Sequence, residues 1–181
     1  MPLPRSMPIA PSAERTLWDF AGIDGLQVAR HLFGEQIAHI SPFQSLTTTL
    51  QDRPCAVLRL CENNFRVALP PDLALDRLIP LLHPQIWIGR SPYLAALTLP
   101  VEQGLSWLYQ RATTKPLYTL QPLLGDRAVP ARLDGIALLI WHHSWLGQPR
   151  LELHLATVDL PLVQTRIAES GIGEDRRAIA P

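Results

Sequence analysis

The sequence predicts an α+β domain, built mainly from antiparallel β-hairpins packed with three or four short helices. Three observations predict it. The runs Cys55-Ala-Val-Leu-Arg-Leu-Cys61 and Phe65-Arg-Val-Ala-Leu69 are strand-like and are separated by Asn63-Asn64, a pair that tolerates the positive φ of a tight turn. The segment Leu151-Glu-Leu-His-Leu-Ala156 alternates apolar and polar positions and follows the wholly apolar run Gly135 to Trp141. Between these hairpins Val101, Leu105, Leu108 and Ala112 recur at helical spacing, with Glu102, Gln103, Ser106 and Gln110 on the opposite side.

Taken in order, residues 1–20 read as a flexible Pro-rich leader with prolines at 2, 4, 8 and 11, residues 21–169 as a single α+β domain, and residues 170–181 as a flexible tail. Asp24 is placed to cap a short helix carrying Leu26, Ala29 and Phe33. Gln36 to Ile40 and Leu46 to Leu50 read as strands. After the first hairpin, Pro70-Pro71-Asp72 opens a helix with Leu75, Leu78, Ile79 and Leu82 on one face, shortened or kinked by Pro80. The helix that starts at Pro100 follows, then an apolar, extended stretch from Leu117 to Leu124. Gly135 to Trp141 reads as a strand buried on both faces. Ser144 to Gln148 closes the second hairpin, and Asp159 caps a last helix with Leu160, Val163 and Ile167 on its apolar face.

At 181 residues, 47% hydrophobic and 18% charged, the chain is globular and suffices for one domain. Sixteen basic and sixteen acidic side chains cancel, and the arginines are scattered, so the electrostatic footprint of nucleic-acid binding is missing. Fifteen of the sixteen basic residues are Arg and only Lys115 is Lys, a bias read as genomic rather than as phosphate-binding design. Cys55 and Cys61 share one strand, where six residues at about 3.3 Å each hold them roughly 20 Å apart, too far to bridge. Free strand cysteines, a proline-interrupted N-terminus and the absence of a stretch of ~20 apolar residues point to a cytoplasmic protein without membrane insertion.

Chemistry is hard to find. His142, His143 and His154 with Cys55 or Cys61 are the candidate metal ligands, but adjacent His142 and His143 point to opposite faces of a strand, and a simple hairpin register sets His154 opposite about Leu138. Gly104-Leu-Ser106-Trp-Leu108 lacks the second glycine of a nucleophile elbow and reads as a helix face. Gly171-Ile-Gly173 lies in a polar tail, and no phosphate-binding loop is present. Asp72 and Asp76 read as solvated helix charges. No catalytic, cofactor-binding or metal-binding residue is therefore assigned. What remains are aromatic and Arg side chains where a core does not call for them: Trp107, off the apolar stripe of its helix, Arg111 one turn later, and Trp141 and Trp145 bracketing a hairpin turn. These are candidate partner contacts, the competing reading being that each packs within its own domain.

The pattern Leu97-Thr-Leu-Pro100-Val-Glu102-Gln-Gly-Leu105, followed by Pro130-Ala-Arg-Leu-Asp-Gly-Ile-Ala-Leu-Leu-Ile-Trp141 and Leu151-Glu-Leu-His-Leu155, resembles the N-terminal domain of the cytoplasmic-ring, sorting-platform (Q) proteins of bacterial type III secretion, over roughly residues 55–168. The resemblance implies a non-enzymatic scaffold of the cytosolic ring, peripheral to the inner membrane through the secretion complex. It implies as partners a C-terminal ring module of the surface-presentation-of-antigens (SpoA) type, the secretion adaptor protein and the stalk regulator of the export ATPase. Two other readings compete. One is a small-molecule enzyme with a site assembled from scattered residues such as His83, Asp126, His142 and Glu152; the other is a chaperone-like regulatory binding module.

Overall fold

The computed structural model describes residues 14–79 and 85–172. Two five-stranded antiparallel sheets make up the domain. The first contains β1 (Thr16–Gly22), β2 (Ser45–Leu50), β3 (Arg53–Cys61), β4 (Asn64–Leu69) and β5 (Ile86–Arg90), in the order β2-β3-β4-β1-β5. The second contains β6 (Leu94–Leu99), β7 (Ala112–Thr114), β8 (Arg127–Leu133), β9 (Ile136–Trp145) and β10 (Gln148–Ala156), in the order β6-β10-β9-β8-β7. Helix α1 (Gly25–Phe33) covers the outer face of the first sheet, and α2 (Val101–Arg111) and α3 (Leu160–Glu169) cover that of the second. The α+β class and its antiparallel pairing are as the sequence predicts.

Each sheet obeys the two-residue period of a strand. On the first, Trp18, Phe20, Val57, Phe65, Val67 and Leu69 point outward to meet Val28, Ala29 and Phe33 of α1, with the rings of Phe20 and Phe65 stacked at 5.2 Å. On the second, Leu97, Leu99, Leu133, Ile140, Leu151 and Leu153 meet Leu108 of α2 and Val163 and Ile167 of α3. Helix α2 approaches closely because residue 104 is glycine: a Cβ there would stand 2.7 Å from Leu151 Cδ2 and 2.9 Å from Leu99 Cβ. Gly104 thus serves packing, as the helix-face reading expects.

The alternate positions form the inner layer, where the sheets face each other. Ala56, Leu58 and Ala68 of the first sheet pack against Ala128, Trp141 and Trp145 of the second. Trp141 Nε1 donates to Ser45 Oγ at 2.9 Å, and Thr47 Oγ1 donates to the Ser144 carbonyl at 3.0 Å. At one corner the backbone joins the two sheets: Phe43 N donates to Arg59 O and Ala128 N donates to Phe43 O, at 2.6 and 2.8 Å.

Several local expectations need correction. Thr16 to Phe20, assigned to the leader, belong to β1 at the heart of the first sheet, because Trp18 and Phe20 supply core that no polar leader would. Residues 1–13 and 173–181 of the expected leader and tail lie outside the described residues. Glu35–His39 is a short 3-10 helix rather than a strand, and among the described residues the expected helix after Pro71 is only the 3-10 turn Leu75–Arg77, since the prolines of the segment leave too few residues to propagate an α-helix; Pro80 and Leu82 lie outside the described residues. Leu117 to Leu124 forms no strand; it is a loop that buries Leu120 and Leu123. The second hairpin turns on two residues, Leu146 and Gly147, both with positive φ (51° and 75°), so β9 extends to Trp145.

Candidate functional site

The inner layer is not wholly apolar. Asp19 of β1 and Arg66 of β4 point into it from the first sheet, His143 of β9 and Glu152 and His154 of β10 from the second, and Arg15, just before β1, reaches in from the side. Glu152, His143 and His154 are 1%, 1% and 2% exposed. Asp19 and Arg66 form a two-point ion pair, Nε to Oδ1 at 2.7 Å and Nη2 to Oδ2 at 2.8 Å, and Ser91 Oγ donates to Oδ2 at 3.2 Å. Arg66 Nη1 lies 3.3 Å from His154 Nδ1, and His154 Nε2 lies 2.9 Å from Glu152 Oε2. A guanidinium can only donate, so His154 Nδ1 accepts and its Nε2 carries the hydrogen given to Glu152. Glu152 Oε1 pairs with Arg15 and stands 3.1 Å from His143 Nε2.

Two guanidinium groups and two carboxylates thus balance across the sheet interface, joined by a histidine. Burial alone would raise the Glu152 carboxyl, but the hydrogen bonds from His143 and His154 outweigh it and hold the group well below the usual carboxylate range. Burial pulls His154 below the ordinary histidine value despite the opposing pull of Glu152, and pulls Arg15 down in the same way. The Trp141 ring stacks on His143 at 4.0 Å and Arg15 lies over the Trp145 ring at 4.9 Å, which seals the network from water. Among the described residues no group of three His, Cys, Asp or Glu side chains is arranged to hold a metal ion. A cation beside Glu152 is already present, as Arg15. The arrangement ties the sheets together and offers a small molecule no access.

The residues singled out from the sequence are dispersed. Trp141 and Trp145 are 0% and 3% exposed, which corrects their reading as partner contacts: both are sheet-to-sheet core, because the face they share is covered by the other sheet. Trp107 is half-buried against the second core and lines a groove, while Arg111 is exposed and paired with Asp134 at 3.3 Å. Of the scattered enzyme candidates, Glu152 is sealed in the network, His142 projects to the helix side near the Leu123 carbonyl, Asp126 is exposed in a turn at φ 57°, and His83 lies outside the described residues. They do not meet. His143 and His154, expected on opposite faces, share one, because the two-residue turn pairs His154 with Leu139 rather than Leu138. Cys55 is buried with its thiol pushed up to about 12 by burial, Cys61 is exposed, and both are free.

Among the described residues, two of the grooves present open to solvent. One, about 500 Å³, runs along the polar side of α2 past Ser106, Trp107 and Gln110 to Ile172, the last described residue. The other, about 390 Å³, lies where β7 and the ends of β8 and β9 meet; it is lined by Thr113, Lys115, Tyr118, Pro130, Arg132 and Ala137 among others.

No protein-family model matches the sequence, and no curated protein matches it. Among solved structures, the glycine cleavage system aminomethyltransferase T of Bartonella henselae is similar with a TM-score of 0.67 at 15% identity, over 87% of this chain and 44% of that one. The chain therefore spans less than half the length of that enzyme. Heterotetrameric sarcosine oxidase of Corynebacterium sp. U-96, solved in complex with pyrrole 2-carboxylate, is similar with a TM-score of 0.65 at 15% identity, over 94% of this chain and 86% of the matched chain. The expected partners, a SpoA-type ring module, a secretion adaptor and an ATPase stalk regulator, have no counterpart in either description. No helix among the described residues is long and apolar enough to cross a membrane. The chain has a fold shared with two metabolic enzymes, which corrects both the secretion-ring reading and the non-enzymatic one.

Proposed function

We propose that the chain is a unit of an enzyme acting on small amines or amino acids. The observation that supports it most is the extent of the likeness to the sarcosine oxidase chain: 94% of this chain and 86% of that one correspond, so the common part is a whole subunit-sized domain rather than a shared hairpin. That enzyme is heterotetrameric, and the reading includes assembly with other subunits. The fully buried network belongs to the scaffold; substrate contacts are sought at the solvent-open grooves, which fall in the size range of small-molecule sites, about 300–1,000 Å³.

The experiment is purification of the tagged chain with its bound subunits from native cells, followed by incubation with sarcosine, glycine and related amino acids, whose disappearance is followed by NMR. Conversion of at least one of them, lost when the chain is deleted and restored when it is returned, is the expected result. A preparation that converts none of them would overturn the reading.

A further inference from the structure

We infer that the groove at the ends of β7, β8 and β9 binds a small organic carboxylate, gripped by Lys115 and Arg132 over an apolar floor of Pro130 and Ala137. Both charged residues lining it are cations. Among the described residues neither is in an ion pair. Asp134, two residues from Arg132, is already held by Arg111 at 3.3 Å and Arg166 at 3.4 Å. Arg132 gives one hydrogen from Nη1 to the Gly135 carbonyl at 2.8 Å, which fixes the guanidinium and leaves its other donors for a ligand. In a chain whose acidic and basic side chains cancel, two unmatched cations at one groove are a local choice.

The turn that carries Lys115 and Tyr118 is held in place at a cost in backbone strain. Residues 115–118 form a turn closed by Tyr118 N donating to Lys115 O at 3.1 Å, with Pro116 second and Leu117 third at φ 81°. A turn with Pro second and positive φ third calls for glycine at that place. Leucine there is strained, and its side chain is fully exposed. Thr114 Oγ1 donates to the Tyr118 carbonyl at 2.7 Å, and the Tyr118 ring meets Phe43 edge-on at 5.3 Å. Lys115 and Tyr118 are thus presented to the groove by a braced, strained turn, the kind of feature that persists where a site needs it.

The mixture of lining selects the ligand class. Two cations and the hydroxyls of Thr113 and Tyr118 suit an anionic head, and the hydrocarbon floor suits an organic body, which an inorganic ion lacks. This deepens the enzyme reading above and rests on it for the choice of probes: glycine, sarcosine and pyrrole 2-carboxylate.

The test is titration of the isotope-labelled chain by NMR with those three carboxylates, with sarcosine methyl ester, and with inorganic phosphate. Saturable shifts at the amides of Thr113, Thr114, Lys115, Arg132 and Ala137 are expected with the carboxylates, most tightly for the one with the largest apolar body, and not with the ester. Lys115→Gln and Arg132→Gln should each weaken binding about three- to fivefold. Both side chains are exposed, so the circular dichroism spectrum should be unchanged, and Arg77→Gln should leave binding as it is. Shifts confined to the α2 groove or absent everywhere, binding indifferent to both variants, or phosphate bound as tightly as pyrrole 2-carboxylate would each overturn the proposal. Amine conversion by the native assembly is read separately, so a failed groove leaves the enzyme reading standing, and a failed conversion leaves the groove standing.

Discussion

Glu152→Gln keeps the side-chain shape and removes the charge at the centre of the buried network. The carboxylate pairs with Arg15, accepts from His154 at 2.9 Å and faces His143 at 3.1 Å. A carboxamide has one acceptor oxygen, its amino group faces other donors, and Arg15 keeps its charge with no counter-charge at that position. Removing one partner of a buried ion pair costs about 3–5 kcal/mol, because the other is left uncompensated. For a domain of this length each kcal/mol moves the midpoint by about 2–4 °C, so thermal unfolding should fall by roughly 10 °C. Urea denaturation followed by tryptophan fluorescence gives the free energy directly. Arg15→Met should cost a similar amount, and the double variant should recover at least about 2 kcal/mol relative to the sum. A loss below about 1 kcal/mol for Glu152→Gln, or strict additivity with Arg15→Met, would refute the network as the tie between the sheets.

The same network sets the response to acid. Burial holds His154, and its two histidine neighbours hold Glu152, below their ordinary values of 6.5 and 4.5. In both cases the unfolded chain binds the proton first, so stability present at neutral pH declines as pH falls through about 6.5 and again below about 4.5; urea midpoints flat from pH 7 to pH 4 would contradict it. Trp145→Ala should cost about 3–5 kcal/mol by chemical denaturation, since it removes a fully packed ring and the surface beneath Arg15; a loss under 1 kcal/mol would return Trp145 to the surface. Leu117→Gly should be neutral to about 1 kcal/mol stabilising in the same assay, through relief of the positive φ, and a clear destabilisation would mean that the exposed leucine is packed in solution.

The hairpin β9–β10 was legible because Leu151, Leu153 and Leu155 alternate and their buried face has only one apolar partner within reach. The α2 stripe was legible because its outward positions are plainly polar. The buried network was not, although every member was in view. Glu152 and His154 on β10, and Arg66 on β4, sit on the polar side of strands that read as half-buried, and a charged position on such a strand is ordinarily solvated. Here the two polar sides face each other, so each is the environment of the other. One signal pointed that way: the alternate positions of β3 and β4 hold Ala56, Leu58 and Ala68, which is poor composition for a face exposed to water. The register expected for the β9–β10 hairpin is one residue out and hides the rest, since it sets His154 on the side of His142 instead of that of His143. Strands β1 and β5 escaped because their pairing joins residues some seventy positions apart, such as Trp18 and Arg90, and local periodicity carries no information about that.

The burial of Arg15 has a consequence for where the chain can be shortened. Judged by composition, everything before Ala21 looks dispensable, and deletion to residue 20 would seem a harmless trimming of a proline-rich end. Such a cut removes most of a central strand, and even a cut placed just after Arg15 takes away the counter-charge of a carboxylate 137 positions further on. The folding unit therefore reaches at least as far as the guanidinium that Glu152 holds, ahead of the first described strand.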